Sequence, residues 1–110
     1  MSCLTVIVPC YNEEDNVTLF YQEIVKNRPF FEEKGIELEL LYVDDGSVDG
    51  TALAVKKLRE QDDNVHLVSL SRNFGKESAM YAGLEHADGN YVVLMEVDLQ
   101  DPPSLLPEMF

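Results

Sequence analysis

Tyr91-Val92-Val93-Leu94-Met95-Glu96-Val97-Asp98-Leu99-Gln100-Asp101-Pro102-Pro103 is the stretch from which the rest of this 110-residue chain can be organised. Its first four residues are apolar and β-rich, and the turn formers Asp88-Gly89-Asn90 precede them, which predicts a buried strand. The acids therefore begin where a strand ends. Side chains alternate along an extended chain, so Glu96 and Asp98 point to one side and Val97 to the other. Two carboxylates followed by the amide oxygen of Gln100 form a set of hard oxygen donors suited to Mg²⁺ or Mn²⁺. Pro102-Pro103 stiffens the exit and is suited to opening a helix. A solvated acidic turn after a strand is the alternative reading of the same residues.

Upstream, the same unit recurs. Leu4-Thr5-Val6-Ile7-Val8-Pro9 is β-branched and apolar, as a strand covered on both faces would be, and Pro9 is expected to end it. Capping residues and acids follow from Cys10 to Asn16, and Val17, Phe20, Tyr21, Ile24 and Val25 then repeat at helical spacing. Arg28-Pro29 and Lys34-Gly35 break that pattern before a second strand, Ile36 to Val43, which ends in Asp44-Asp45-Gly46-Ser47. Asp49-Gly50-Thr51 caps a second helix carrying Val55 and Leu58. A third strand from Val65 to Leu70 leads through Ser71-Arg72-Asn73-Phe74-Gly75 into a helix from about Lys76 to His86. Strands alternating with helices predict βαβ units: an α/β fold, three-layer αβα, with a mainly parallel sheet.

Ligands in such sheets bind beyond the carboxyl ends of the strands. Those ends are Pro9 to Glu13, Asp44 to Ser47, Ser71 to Gly75 and Glu96 to Asp101, so the unusual residues fall on one rim. Of the eight basic residues only Arg72 and Lys76 lie there, among many carboxylates. An acidic rim with two cations suits a diphosphate that arrives with a divalent metal. Surface ion pairing is the plainer reading of Lys76 and, less so, of Arg72; a turn-forming acid before Gly46 is the plainer reading of Asp44, and Asp45 and Asp49 read readily as turn-forming acids. His66 within a strand and His86 at a helix end read as structural.

Composition bounds what the chain can be. It is long enough for one core, and its 45% hydrophobic content is that of a globular domain. Its net charge of −13 speaks against nucleic acid or an anionic membrane surface as partner. It holds no apolar run of the ~18 residues needed to cross a bilayer, and its first residues do not resemble a signal peptide. Cys3 and Cys10 sit roughly 23 Å apart along one extended strand, too far to pair. Unpaired thiols without a leader are expected of a cytoplasmic protein. Leu105-Leu106-Pro107-Glu108-Met109-Phe110 reads as a helix begun and not finished, so the expectation is a piece of a longer domain.

Four motifs carry a family resemblance: Val8-Pro9-Cys10-Tyr11-Asn12-Glu13-Glu14, Val43-Asp44-Asp45-Gly46-Ser47-Val48-Asp49-Gly50-Thr51, Ser71-Arg72-Asn73-Phe74-Gly75-Lys76 and Asp98-Leu99-Gln100-Asp101-Pro102-Pro103. In this order they resemble family 2 glycosyltransferases, in the branch of dolichol-phosphate mannose synthase and the bacterial polyprenyl-phosphate glucosyltransferases. The resemblance implies a GT-A fold and a nucleotide-sugar donor such as UDP-glucose or GDP-mannose. It also implies inverting transfer to a polyprenyl phosphate at the cytoplasmic face of a membrane. By position, Pro9, Tyr11 and Glu13 would flank the nucleoside, Asp44 would contact the base, and Arg72 would approach the ribose or diphosphate. Glu96, Asp98 and Gln100 would hold the metal, with Asp98 central to catalysis and also among the residues that bind the nucleotide. All of these residues belong to residues 1–110, the nucleotide-sugar-binding part of such a domain; the acceptor half and any membrane segment would lie elsewhere.

The sequence departs from the family where Glu96 stands in place of the usual Asp, and where Val48 stands in place of Thr. Glu96 reaches one methylene further, which favours Mn²⁺ over the geometrically stricter Mg²⁺. That departure also keeps open a binding or scaffolding domain that has lost activity. A receiver-type signalling module would place paired acids after the first strand, where this chain has Pro-Cys-Tyr-Asn-Glu. A sugar nucleotidylyltransferase should carry a glycine-rich phosphate loop there, and none is present. The fourth strand is expected to expose an edge open to a second copy.

Overall fold

A computed structural model describes residues 2–87 and 90–95, with the side chain of Lys76 left out. The elements run β1 (Ser2–Cys10), α1 (Glu14–Val25), α2 (Arg28–Glu33), β2 (Ile36–Asp44), α3 (Thr51–Gln61), β3 (Val65–Ser69), α4 (Lys76–His86) and β4 (Tyr91–Leu94). Among the described residues all three strand pairings are parallel and the sheet order is β3-β2-β1-β4. Alternation along β1 divides the interior into two layers. Leu4, Val6, Val8 and Cys10 join Leu38, Leu40 and Tyr42 under Val17, Phe20 and Ile24 of α1 and Val55 and Leu58 of α3. Ile7, Leu41 and Val43 face the other way, against Ala79 and Ala82 of α4. This is the three-layer αβα arrangement that the alternating elements predicted.

Three local expectations are corrected. β4, expected to be a buried strand, is an edge strand among the described residues: it pairs only with β1, leaves Tyr91 and Val92 exposed and half-buries Val93 and Leu94. Pro9 does not end β1; it pairs with Val43, and the strand continues to Cys10. Ile7 O accepts the Met95 N–H on the β4 side, while Cys10 O accepts the Asp45 N–H on the β2 side. By parity the Pro9 nitrogen faces the β4 side, beyond the last described β1–β4 pair, Ile7 with Leu94. No described ladder bond there needs an N–H, so proline is tolerated in a central strand. Arg28-Pro29, read as a break, opens the short helix α2 instead, with proline in the first turn, where a missing N–H costs nothing. α2 buries Phe31, and Gly35 at φ +72° turns the chain into β2.

Asp62 ties this end of the molecule together. Its carboxylate accepts the Tyr21 hydroxyl at 2.7 Å, the Arg28 guanidinium, and the Asn64 N–H at 3.0 Å. Burial alone would raise its pKa, but the Tyr21 hydroxyl, the Asn64 N–H and Arg28 together hold it below the ordinary value. A folded-state value below the unfolded one gives stability that is present above the ordinary carboxylate pKa and lost as pH falls through the lowered one. Asp62→Asn is therefore expected to cost about 2 kcal/mol at neutral pH in urea denaturation, with the difference from the unchanged protein shrinking in acid. An equal loss at both pH values would show that the carboxylate charge contributes nothing.

Candidate functional site

Because every strand among the described residues is parallel, the segments after β1, β2 and β3 all leave from one edge of the sheet, and Met95 follows β4 at that same edge. The register makes the convergence specific: Cys10 pairs with Asp44, and Asp44 with Ser69. The loop after β1 is then stitched to the loop after β2. Asn12, in the left-handed region at φ 51°, donates its N–H to Ser47 Oγ at 2.8 Å and accepts the Val48 N–H on its side-chain oxygen at 3.0 Å. The Glu13 N–H donates to Thr51 Oγ1 at 2.9 Å, and the Glu14 N–H to Asp49 at 3.4 Å.

Of the residues assigned to the nucleoside, Pro9 is buried in β1 and Tyr11 stands 43% exposed on the rim. Glu13 is half-buried and accepts the Asn16 side-chain amide at 2.8 Å. Asp44 is 2% exposed, and its carboxylate accepts the Ser47 N–H at 3.1 Å. Arg72 is exposed and lies 5.0 Å over the Phe74 ring. These five residues therefore sit on the ends of β1 and β2 and in the loop after β3. Glu96, Asp98 and Gln100 fall outside the described residues, and so does the Lys76 side chain. Among the described residues no group of three or more His, Cys, Asp or Glu side chains is arranged to hold a metal. As chemistry, the Glu96, Asp98 and Gln100 donor set is all hard oxygen and fits Mg²⁺ or Mn²⁺. Met95, which precedes it, is bonded to Ile7 O at 3.0 Å and buried at the carboxyl end of the sheet.

The rim is electrostatically negative. Burial first, and then the carboxylates of Asp44, Glu13, Asp49 and Asp45, push the Cys10 thiol up to about 12, so it stays protonated and donates weakly to Val43 O. The Thr51 hydroxyl, bonded to Asp49, is the main reason the Asp49 carboxyl lies below its usual value. Asp49 thus is the turn-forming acid expected. Asp45 is not: it is buried and accepts the N–H groups of Phe74 and Gly75 in the loop after β3, at 2.9 and 3.1 Å. Asn12, Ser47 and Asp45 were placed on this rim by the sequence but given no role in building it; the structure supplies those roles. The Gly46 that follows Asp45 was the available signal, since a forced glycine marks a close approach of two backbones.

A family model described as Glycosyl transferase family 2 matches residues 5–110. The chain belongs to that family. It is 40% identical over 106 residues to a prophage bactoprenol glucosyl transferase homolog of Escherichia coli, covering 96% of this chain and 34% of that protein. It is 36% identical over 107 residues to an undecaprenyl-phosphate 4-deoxy-4-formamido-L-arabinose transferase of Proteus mirabilis, covering 96% and 32%. The chain thus spans about a third of the length of these curated relatives. Among solved structures, a mannosyltransferase of Pyrobaculum calidifontis in complex with GDP-Man and Mn²⁺ superposes with TM-score 0.70 and 32% identity, over 86% of this chain and 27% of that one. TarS of S. aureus in complex with UDP-GlcNAc superposes with TM-score 0.73 and 30% identity, over 89% and 27%. The parallel sheet with helices on both faces is accordingly that of a GT-A glycosyltransferase, and the receiver-module reading is set aside. No helix among the described residues is long and apolar enough to cross a membrane.

Proposed function

We propose that the protein transfers a hexose from a UDP- or GDP-linked donor to a polyprenyl phosphate, inverting the anomeric centre, and that this chain carries the donor side of the site. The observation that carries the reading is the convergence of the β1, β2 and β3 loop motifs on one rim, in a chain similar to proteins named for bactoprenol and undecaprenyl phosphate and to glycosyltransferases solved with nucleotide sugars. Pro9, Tyr11 and Glu13 flank the nucleoside, Asp44 contacts the base, and Arg72 approaches the ribose or diphosphate. A divalent ion held by Glu96, Asp98 and Gln100 would supply neutralisation of charge on the departing nucleoside diphosphate. In the transfer, an acceptor phosphate oxygen forms a bond to the anomeric carbon as the bond from that carbon to the donor phosphate breaks. The acceptor is already ionised, so no residue of this chain is needed as a general base. What the chain supplies is orientation and a cation, Arg72, where negative charge accumulates.

The test is calorimetric titration of UDP, GDP and their sugar conjugates into this chain and its Asp98→Ala variant, with and without Mn²⁺. Metal-dependent binding of one nucleotide, lost in the variant, is expected; the 110 residues alone should bind weakly and transfer no sugar. Absence of metal-dependent binding in the full-length protein as well would overturn the donor-site reading. Glu96 favours a second reading, a GT-A-like binding or scaffolding domain, which predicts nucleotide binding without turnover in the full-length protein. The working site of the whole protein is proposed to be the cytoplasmic face of a membrane, where polyprenyl phosphates present their headgroups.

β4 pairs only with β1 among the described residues and leaves Tyr91 and Val92 half exposed on the sheet edge. Such an edge invites a second copy. This chain is expected to dimerise through it at high concentration, and a monomer by light scattering would count against that.

A further inference from the structure

Asp45 is 4% exposed at the end of β2, yet it serves residues far along the chain. One carboxylate oxygen accepts the Phe74 N–H at 2.9 Å and the other the Gly75 N–H at 3.1 Å. The loop it holds has left the sheet, its last described tie to β2 being the Leu70 N–H to Asp44 O bond at 2.9 Å. Gly46 makes the same contact tight from the other side. It sits at φ +72°, and a Cβ there would fall 2.1 Å from the Arg72 carbonyl carbon and 2.4 Å from the Asn73 nitrogen. Backbone therefore presses on backbone at the point where Arg72 is placed. Phe74, whose N–H is anchored, also provides the ring on which the Arg72 guanidinium rests at 5.0 Å. Among the described residues Arg72 has no carboxylate within ion-pair distance, so its charge remains available to a ligand.

We propose that Asp45 is a positioning residue for Arg72: it fixes the backbone of the loop after β3 so that the guanidinium stands ready at the donor diphosphate. This rests on the donor-site reading above. The alternative role for a carboxylate at this rim is direct contact with the nucleoside. The two roles differ in how mutations combine, because a residue that acts through Arg72 has nothing left to lose once Arg72 is gone.

The experiment is a calorimetric cycle in the full-length protein, measuring Kd for GDP and UDP with Mn²⁺ in the unchanged protein, Asp45→Asn, Arg72→Ala and the double variant. Asn keeps one acceptor but turns an amide N–H toward the second backbone donor. Asp45→Asn and Arg72→Ala are each expected to raise Kd about tenfold, and the double variant no further than Arg72→Ala alone. An unchanged Kd in Asp45→Asn would overturn the proposal, showing a purely structural carboxylate. So would losses that multiply in the double variant, showing that Asp45 meets the nucleotide itself. Should Asp45→Asn not fold, Gly46→Ala puts the same question by displacing the Arg72 backbone with the carboxylate intact, and it too should weaken binding only while Arg72 is present. No binding by the unchanged protein would overturn the donor-site reading and this proposal with it, a result distinct from binding that ignores Asp45.

Discussion

Replacing Asp98 by alanine in the full-length protein is expected to lower sugar transfer by about a thousandfold, far beyond the effect of any other single change on the rim. In the proposed reaction the departing nucleoside diphosphate gains negative charge as the bond to the anomeric carbon breaks, and Glu13, Asp44, Asp45 and Asp49 already make this rim negative. Without a divalent ion the leaving group would develop beside uncompensated carboxylates. Loss of charge stabilisation of about 4 kcal/mol corresponds to that thousandfold. The accompanying readout is metal choice. Glu96→Asp, which restores the usual family residue, is expected to shift the ratio of rates in Mg²⁺ and Mn²⁺ toward Mg²⁺, because the shorter side chain suits the stricter octahedron. Transfer retained in Asp98→Ala would sink the metal assignment. Tighter Mg²⁺ than Mn²⁺ binding by the nucleotide-loaded unchanged protein would sink the argument about Glu96 alone.

How far the sequence could be read depended on the range of the interaction. Largely apolar runs such as Leu4 to Val8 and Val65 to Val68, each followed by turn formers, announce strands through local chemistry, and β3 and α4 lie close to where periodicity places them. Their parallel arrangement followed from alternation with helices, and the shared rim followed from that. Pro9 was misjudged because its fitness for β1 depends on which neighbour its nitrogen faces, a matter of sheet order rather than of residue type. Pro29 was misjudged because proline breaks a helix interior but suits a first turn, and only the packing of Phe31 decides between them. Asp45 is the deeper case. Locally it looks like any acid before a glycine, and its real partners, the amides of Phe74 and Gly75, come within reach only once β2 and β3 pair in the observed register. Glu96, Asp98 and Gln100 rest on sequence pattern and family resemblance alone.

A glycine in the middle of a helix breaks a local rule, and Gly83 in α4 is expected to resist its repair. Alanine there should recover about 1 kcal/mol of helix propensity. The structure sets an opposing term: a Cβ at Gly83 would lie 2.5 Å from Ile7 Cγ2 and 3.2 Å from Val43 Cγ2. Ile7 and Val43 are both fully buried and β-branched, so neither methyl can swing aside as the end of a flexible chain would. Overpacking of this kind costs roughly 1–3 kcal/mol, which outweighs the propensity gain. Gly83→Ala should therefore lower stability by about 1 kcal/mol and Gly83→Leu by about 3 or more, whereas Ser78→Ala on the exposed side of the same helix should raise it by a few tenths. Thermal and urea unfolding would read these differences, and pairing Gly83→Ala with Ile7→Ala should cost less than the two separately, because the second change removes the obstructing methyl. Stabilisation by Gly83→Ala alone would mean that α4 stands farther from the sheet. The point reaches the site, because α4 begins directly after the Gly75 amide that Asp45 holds. A helix forced away from Ile7 must pull on the loop that carries Arg72, so Gly83→Leu should weaken nucleotide binding as well as the fold.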